Sequence, residues 1–321
     1  MPGFDPAAAE RFLATTARVL ERRLHARLFA DGPASGVRDA VAAYRTPDGG
    51  FGFGLEPDAR SPHAHPAAIS TALRILHEAD AWDDDLARAA CDWLWRHAPG
   101  DHAPPSGSPS APPPAHDDLG PGAGGATFVD PGVEGWPRAP WFGPEPGLPR
   151  SPVQAGPITG LLVAHDVAHP WRDATEALLW DEIDAWIAAA PDHALTGIPR
   201  IGRGYELRGL LAFLEHADDE RRAHAAIDGL ASHVAASVSV AVGGDEEAHR
   251  PLHLAPAPTA RAARLFAHGV LDAHVDALAA GQRDDGGWTF DWMAWSPAAA
   301  ADWRGALTVD ALRVLRLHGR W

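Results

Sequence analysis

Gly281-Gln282-Arg283-Asp284-Asp285-Gly286-Gly287-Trp288-Thr289-Phe290-Asp291-Trp292 is the stretch from which the fold is read. It follows an apolar-periodic segment, turns on two glycines and places an indole just beyond the turn. A second copy, Tyr44-Arg45-Thr46-Pro47-Asp48-Gly49-Gly50-Phe51-Gly52-Phe53, stands near the other end of the chain. Both carry Asp-Gly-Gly-aromatic, and both lie between amphipathic helical patterns. Self-similarity of this kind marks a repeat architecture, in which one supersecondary unit recurs. The unit expected here is a helical hairpin.

Gln282-x3-Gly286-x-Trp288 resembles the QW repeat of squalene–hopene and oxidosqualene cyclases. The resemblance implies an α/α toroid, the fold those enzymes share with class II diterpene cyclases and protein prenyltransferase β-subunits. In that family the Gln amide stacks on the aromatic ring and ties a helix end to its neighbour, which implies a structural role for Gln282 and Trp288. Arg45 stands where Gln would be in the first copy, so that copy is degenerate. The expectation is an all-α chain: one α/α-toroid domain over residues 1–321, a ring of about five to six helical hairpins.

Working outward, caps and apolar periods place the helices. Asp5-Pro6 opens the first, since Asp caps backbone N–H groups and Pro fits the first turn. Leu13, Leu20, Leu24 and Leu28 then share one face, up to a stop at Asp31-Gly32-Pro33. Pro66 opens another helix with Ile69, Ala72, Leu73 and Leu76 at helical spacing, and its partner carries Leu86, Ala90, Trp93 and Leu94. Further hairpins are read over 157–190 and 205–236. Residues 259–268 and 271–280 lead into the strong turn, and 303–318 form the last helix. Residues 237–242 alternate and read as a short strand. The ring closes if the first helix pairs with the last.

Residues 99–149 read as a Pro/Gly-rich insertion within that domain. Up to about residue 126 it has little to bury and reads as disordered or loosely packed. Residues 127–149 add Trp136, Trp141 and Phe142 among prolines and glycines. An irregular but aromatic segment packs down, as a lid, a plug or a loop pinned to the surface.

The formal net charge is −16, which argues against a nucleic-acid surface. All 27 basic residues are Arg, a side chain whose fork grips carboxylates and phosphates. Cys91 is the only cysteine, so neither an intramolecular disulfide nor a thiolate-rich zinc site is expected. Met1-Pro2-Gly3-Phe4-Asp5-Pro6 lacks the basic and apolar regions of a secretory leader. No uncharged apolar stretch reaches the roughly 20 residues that span a bilayer. A cytoplasmic protein is expected, with room for peripheral contact with a membrane.

In such a ring the loops before the inner helices converge on a cavity, where a site is expected. Glu56, Asp58 and Asp291 are the candidate acids. A carboxyl against apolar walls keeps its proton because desolvation raises its pKa, the state an acid needs to protonate an alkene. His63 and His65 are candidate bases beside Glu56-Pro57-Asp58. Tyr205, Trp292, Trp295 and Trp303 are candidate lining residues, since aromatic faces stabilise a cation. Arg203 and Arg304 are candidate substrate contacts, and Gly202-Arg203-Gly204 before a helix suits an anion such as diphosphate. Each of these residues has an equally simple structural use as a cap, a core ring or an ion-pair partner.

The catalytic sets of the resembled family find no match. Its cyclases use the middle Asp of Asp-x-Asp-Asp, whereas the comparable helix start here is Ala67-Ala68-Ile69-Ser70-Thr71-Ala72. Asp83-Asp84-Asp85 has different spacing and reads as an acidic first helical turn. The prenyltransferases hold zinc with Asp, Cys and His, and Cys91 has no fitting partners. His63-x-His65 and His165-x3-His169 have ligand-like spacing but no third ligand. No metal and no cofactor are expected. The function expected is that of a terpene-cyclase-like enzyme, acting on an apolar isoprenoid small molecule by acid-initiated cyclisation or isomerisation in a central cavity. The alternatives are prenyl transfer or lyase chemistry on the same scaffold, or a non-catalytic toroid that binds a hydrophobic ligand or a partner.

Overall fold

The computed structural model describes residues 3–98, 124–143, 150–189, 202–242 and 249–321. Its regular elements are α1 (Pro6–Thr16), α2 (Val19–Phe29), α3 (Ala34–Ala42), α4 (Pro66–Glu78), α5 (Asp84–Arg96), α6 (Pro152–Ala164), α7 (Pro170–Ala188), α8 (Gly202–Leu214), α9 (Glu220–Gly229), α10 (Ala231–Ser237), α11 (Pro251–Leu254), α12 (Val270–Ala280) and α13 (Pro297–Leu317). Short 3-10 turns cover Pro131–Val133 and Arg261–Leu265. Among the described residues there are isolated bridges but no strand, so the chain is all-α. The first part of the insertion, 99–123, lies outside the described residues.

One local rule opens five of these helices. A capping residue stands directly before a proline, as in Asp5-Pro6, His65-Pro66, Ser151-Pro152, His169-Pro170 and Ser296-Pro297. In each, the side chain accepts a backbone N–H from the first turn, and the proline occupies a place where its missing N–H costs nothing.

Several boundaries differ from the periodic reading. The first helix breaks at Ala17-Arg18, where Ala17 is extended with ψ 156°. Thr15 turns its hydroxyl back onto the Arg11 carbonyl at 2.9 Å, a bond that bends helices. Arg18 then folds onto the buried Glu21 carboxylate, its Nε 3.1 Å from both oxygens. Pro157 lies inside α6, not at its start, because Ser151 and Pro152 supply an earlier cap and first turn. Residues 259–268 yield only the 3-10 turn, and 237–242 yield only a bridge between Val238 and His249.

The described chain packs as two compact units. The first gathers Met1–Ala43, Ile75–Trp82 and Arg221–Trp321. In it α1 packs on α2 and α13, α2 on α3 and α13, and α12 on α11 and α13, so the first helix does pair with the last. The second Asp-Gly-Gly turn docks on α1. It is closed by Gly286 N–H to the Arg283 carbonyl at 2.8 Å and by Arg283 N–H to the Gly287 carbonyl at 2.9 Å. Gly286 has φ 93°, and a Cβ there would lie 2.2 Å from the Ala8 carbonyl oxygen. Trp288 is buried edge-on to Phe4. Its indole N–H donates to the Leu278 carbonyl at 2.7 Å, and its backbone N–H to Thr308 Oγ1 at 2.9 Å. The Gln282 amide accepts the Asp5 N–H at 2.6 Å and donates to the Asp5 and Gly286 carbonyls at 2.9 and 2.8 Å. That single side chain fastens the turn to the cap of α1.

The second unit gathers Tyr44–Arg74 and Asp83–Glu220. Its closest seam is α6 on α8, where Gly156 faces Gly209 so tightly that an added Cβ would lie 2.1 Å from the Gly209 carbonyl oxygen. Helix α7 packs on α5, α6 and α8. The first Asp-Gly-Gly turn repeats the other bond for bond: Gly49 N–H to the Thr46 carbonyl at 3.0 Å, and Thr46 N–H to the Gly50 carbonyl at 2.9 Å. Gly49 lies against Ala89 and Gly50 against the Trp93 ring, both on α5. In the other turn Gly286 lies against Ala8 and Gly287 against the Phe12 ring. The two aromatics stand at the same four-residue offset from the two alanines.

Candidate functional site

In the second unit, the chain after the first glycine turn becomes a stiff loop. Phe53 and Gly54 take positive φ of 56° and 78°, and Phe53 N–H closes the loop on the Ser61 carbonyl at 2.7 Å. Pro57, Pro62 and Pro66 restrict the rest. Residues 126–142 lie along this loop as a strap. Arg60 N–H donates to the Pro137 carbonyl, and Ala139 N–H to the Asp58 carbonyl, each at 2.9 Å. The Ser61 hydroxyl donates to the Gly132 carbonyl at 3.2 Å. Trp136 meets His63 edge-on with centroids 6.1 Å apart, Phe142 meets His65 at 5.5 Å, and Trp141 donates its indole N–H to Asp58 at 2.8 Å. The base of the strap is held by Trp171, whose indole donates to the Gly125 carbonyl at 3.0 Å. The aromatic part of the insertion therefore packs down, and it packs on three of the candidate residues, Asp58, His63 and His65.

Under the strap Asp58 is 7% exposed and His65 fully buried. Glu56 is half-buried and accepts from the Thr71 hydroxyl at 3.3 Å. His63 is exposed, at the strap's edge. His65 accepts the Ala68 N–H at Nδ1, and burial holds its pKa down to about 4. The imidazole is thus neutral near pH 7.

Sequence reading missed Asp130. Its carboxylate accepts the Gly132 N–H at 2.7 Å. Burial pushes its pKa above the usual carboxylate range, and the charge of Asp48 adds to this. The Gly132 hydrogen bond and the nearby His97 and His63 oppose the shift. Asp48 comes from the first glycine turn and accepts the Trp93 indole N–H at 3.0 Å. His97, at the end of α5, stacks on Trp93 at 4.1 Å. Turn, helix end and strap thereby bring two carboxyls and two imidazoles within electrostatic reach, the kind of setting in which functional groups cluster. The Asp130-Pro131-Gly132 turn is visible in the sequence; the burial that perturbs its acid is not.

The other candidates stand elsewhere. In the first unit, Asp291 is half-exposed and 3.9 Å from Arg250. Trp292 is 39% exposed, stacked on Phe290 at 4.6 Å and edge-on to Trp303 at 5.4 Å. The Trp295 indole N–H is buried with no partner among the described residues. Arg304 is gripped by both oxygens of Asp285 at 2.7 and 2.8 Å and lies over the Phe12 ring. It borders an open cleft of about 530 Å³ with Gln282, Arg283 and Thr289. In the second unit Tyr205 is exposed in the first turn of α8, and Glu206 beside it is buried. The Arg203 side chain lies outside the described residues. Cys91 is buried, which pushes its thiol up to about 12. Among the described residues, no three His, Cys, Asp or Glu side chains are placed to hold a metal ion, and no helix is long and apolar enough to cross a membrane.

No protein-family model, curated protein or solved structure matches the chain.

Proposed function

We propose that the strap-covered loop acts on an apolar, isoprenoid small molecule by acid-initiated isomerisation or cyclisation. The observation that carries this reading is the strap itself: an aromatic segment laid on a stiff loop, so that the Asp58 carboxyl is buried beside the Trp141 ring. An acid that protonates an alkene needs a raised pKa, and desolvation shifts Asp130 in that direction. Asp130 gives its proton to an alkene carbon, leaving a carbocation that Trp and Phe faces stabilise. A neighbouring C–H then loses its proton to the exposed His63, and water exchange restores Asp130. No atom is gained or lost, so the net change is an isomerisation. Asp58 is the second candidate acid. The toroid that the Gln282–Trp288 turn resembles, and a cytoplasmic location, belong to the same reading.

The test is incubation with a panel of prenyl alcohols, prenyl diphosphates and polyprenes in D2O, with products followed by mass spectrometry. Acid initiation places one solvent deuteron in the product. Asp130→Asn should stop turnover while the protein stays folded. An absence of both product and deuterium across the panel would sink the catalytic reading. A second reading, non-catalytic binding of an apolar ligand, is favoured by the internal hydrogen bonds that already occupy Glu56 and Asp58. It predicts ligand that copurifies unchanged and binds Asp130→Asn equally well.

A further inference from the structure

Beneath the strap one polar atom has no use in the fold. His65 caps α4 through Nδ1, which accepts the Ala68 N–H at 3.3 Å. Its backbone N–H donates to the Phe51 carbonyl at 3.2 Å. A neutral imidazole that accepts at Nδ1 carries its proton on Nε2. Burial keeps the ring neutral, with a pKa of about 4. Nε2 is buried and has no hydrogen-bond partner among the described residues. Native interiors seldom leave a donor unspent, because its lost hydration is not returned. What the ring meets is Phe142, edge-on at 5.5 Å, and a phenyl face is only a weak acceptor.

We propose that the His65 Nε2–H is the donor of a ligand subsite, which takes a hydroxyl or carbonyl oxygen on an otherwise apolar molecule, and that Phe142 plugs this subsite while it is empty. The inference rests on the small-molecule reading above. The chemistry of the surroundings selects the ligand class. Phe128 lies 5.5 Å from Phe142, and Phe51, Leu55 and Ile69 nearby in the chain are fully buried, so an apolar body is favoured. The ring is uncharged, and Glu56 and Asp58 stand on the same loop, so an anionic group is disfavoured. The hydrogen bonds between strap and loop involve Gly132, Pro137, Ala139 and Trp141. Phe142 lies past the last of them, so none of them depends on the position of its ring.

The experiment compares geraniol with 2,6-dimethylocta-2,6-diene, the same skeleton without oxygen, by calorimetry on the full chain. His65→Asn keeps an oxygen to cap Ala68 but removes the reach of Nε2, and Phe142→Ala removes the plug. The native and Phe142→Ala proteins should bind the alcohol about fivefold more tightly than the hydrocarbon, the worth of one hydrogen bond. His65→Asn should abolish that preference and leave hydrocarbon affinity unchanged. In the unmodified protein, labelled with nitrogen-15, the His65 Nε2–H resonance should shift when geraniol is added, a readout that needs no variant. Equal binding of the two probes, a preference that survives His65→Asn, or an unmoved resonance overturns the donor role and leaves the apolar site standing. Binding of neither probe by Phe142→Ala overturns the site and the donor together.

Discussion

The indole N–H of Trp141 donates to the Asp58 carboxylate at 2.8 Å, across 83 positions of chain. With the bond from the Ser61 hydroxyl to the Gly132 carbonyl, it is a side-chain bond by which the strap grips the loop. Trp141→Phe keeps an aromatic ring and removes the donor, so the buried Asp58 loses one hydrogen bond. The expected cost is about 1–3 kcal/mol, read as a lower urea midpoint, with faster proteolysis within residues 124–143. Unchanged stability and proteolysis would mean that the backbone bonds and the Ser61 hydroxyl hold the strap without Trp141.

Trp288 fills the space between α12, α13 and Phe4 and spends both of its N–H groups. Trp288→Ala should cost roughly 3–5 kcal/mol, as deletion of other buried large aromatics does. A variant with native stability and altered turnover would overturn the packing role.

Two titrations should show in the stability profile, in separate windows. His65 is held at about 4 in the fold against 6.5 when free. Its contribution is complete above pH 6.5 and is lost as pH falls toward 4, because the unfolded chain takes the proton first. A shift of that size corresponds to roughly 3 kcal/mol. His65→Asn should flatten the slope between pH 6.5 and 4. Asp285 is held below the ordinary carboxylate range, chiefly by its hydrogen bonds from Arg304. Its contribution is present above about pH 4 and is lost below that. It is small because the pair is half-exposed, and Asp285→Asn should remove it. A slope between pH 6.5 and 4 that survives His65→Asn would assign it to another group.

The two glycine turns offer a matched comparison. Gly49 and Gly286 share a left-handed φ, so Ala at either costs about 1–2 kcal/mol in strain. At Gly286 the new Cβ would also strike the Ala8 backbone at 2.2 Å, against 3.0 Å from the Ala89 oxygen at Gly49. Thermal melts should therefore place Gly286→Ala below Gly49→Ala. The reverse order would show that α1 yields more easily than α5.

The parts of the fold that were legible in the sequence are local. A cap followed by proline is written in two adjacent residues, and the paired Asp-Gly-Gly turns in four, so Asp5-Pro6 and both turns are readable from the sequence. The break at Ala17 was not, because it depends on Arg18 reaching Glu21 and not on helical period. Glu56, Asp58, His63 and His65 were recognisable as a group because prolines bracket them. Their cover was recognisable only as aromatic, since a pairing such as Trp141 with Asp58 leaves no local trace. Asp130 escaped for the same reason: its perturbed carboxyl is a product of burial. The side-chain types of Tyr205 and Trp292 do not say which way they face, and both are exposed.

Asp5 and Gln282 are 277 positions apart, yet they share two hydrogen bonds. A ribosome adding ~5–20 residues per second takes roughly 14–55 s to travel that distance. Through that interval α1 lacks its contacts with α13 and the second glycine turn, and Phe12 lacks the cover of Gly287. The second unit, drawn from Tyr44–Arg74 and Asp83–Glu220, has by then been fully synthesised. Translation therefore imposes an order on assembly: the middle of the chain can fold while the first helix waits for the last. Limited proteolysis of ribosome-stalled chains should find α1 cleavable in a nascent chain that ends at Glu220 and protected once Trp288 and α13 have emerged.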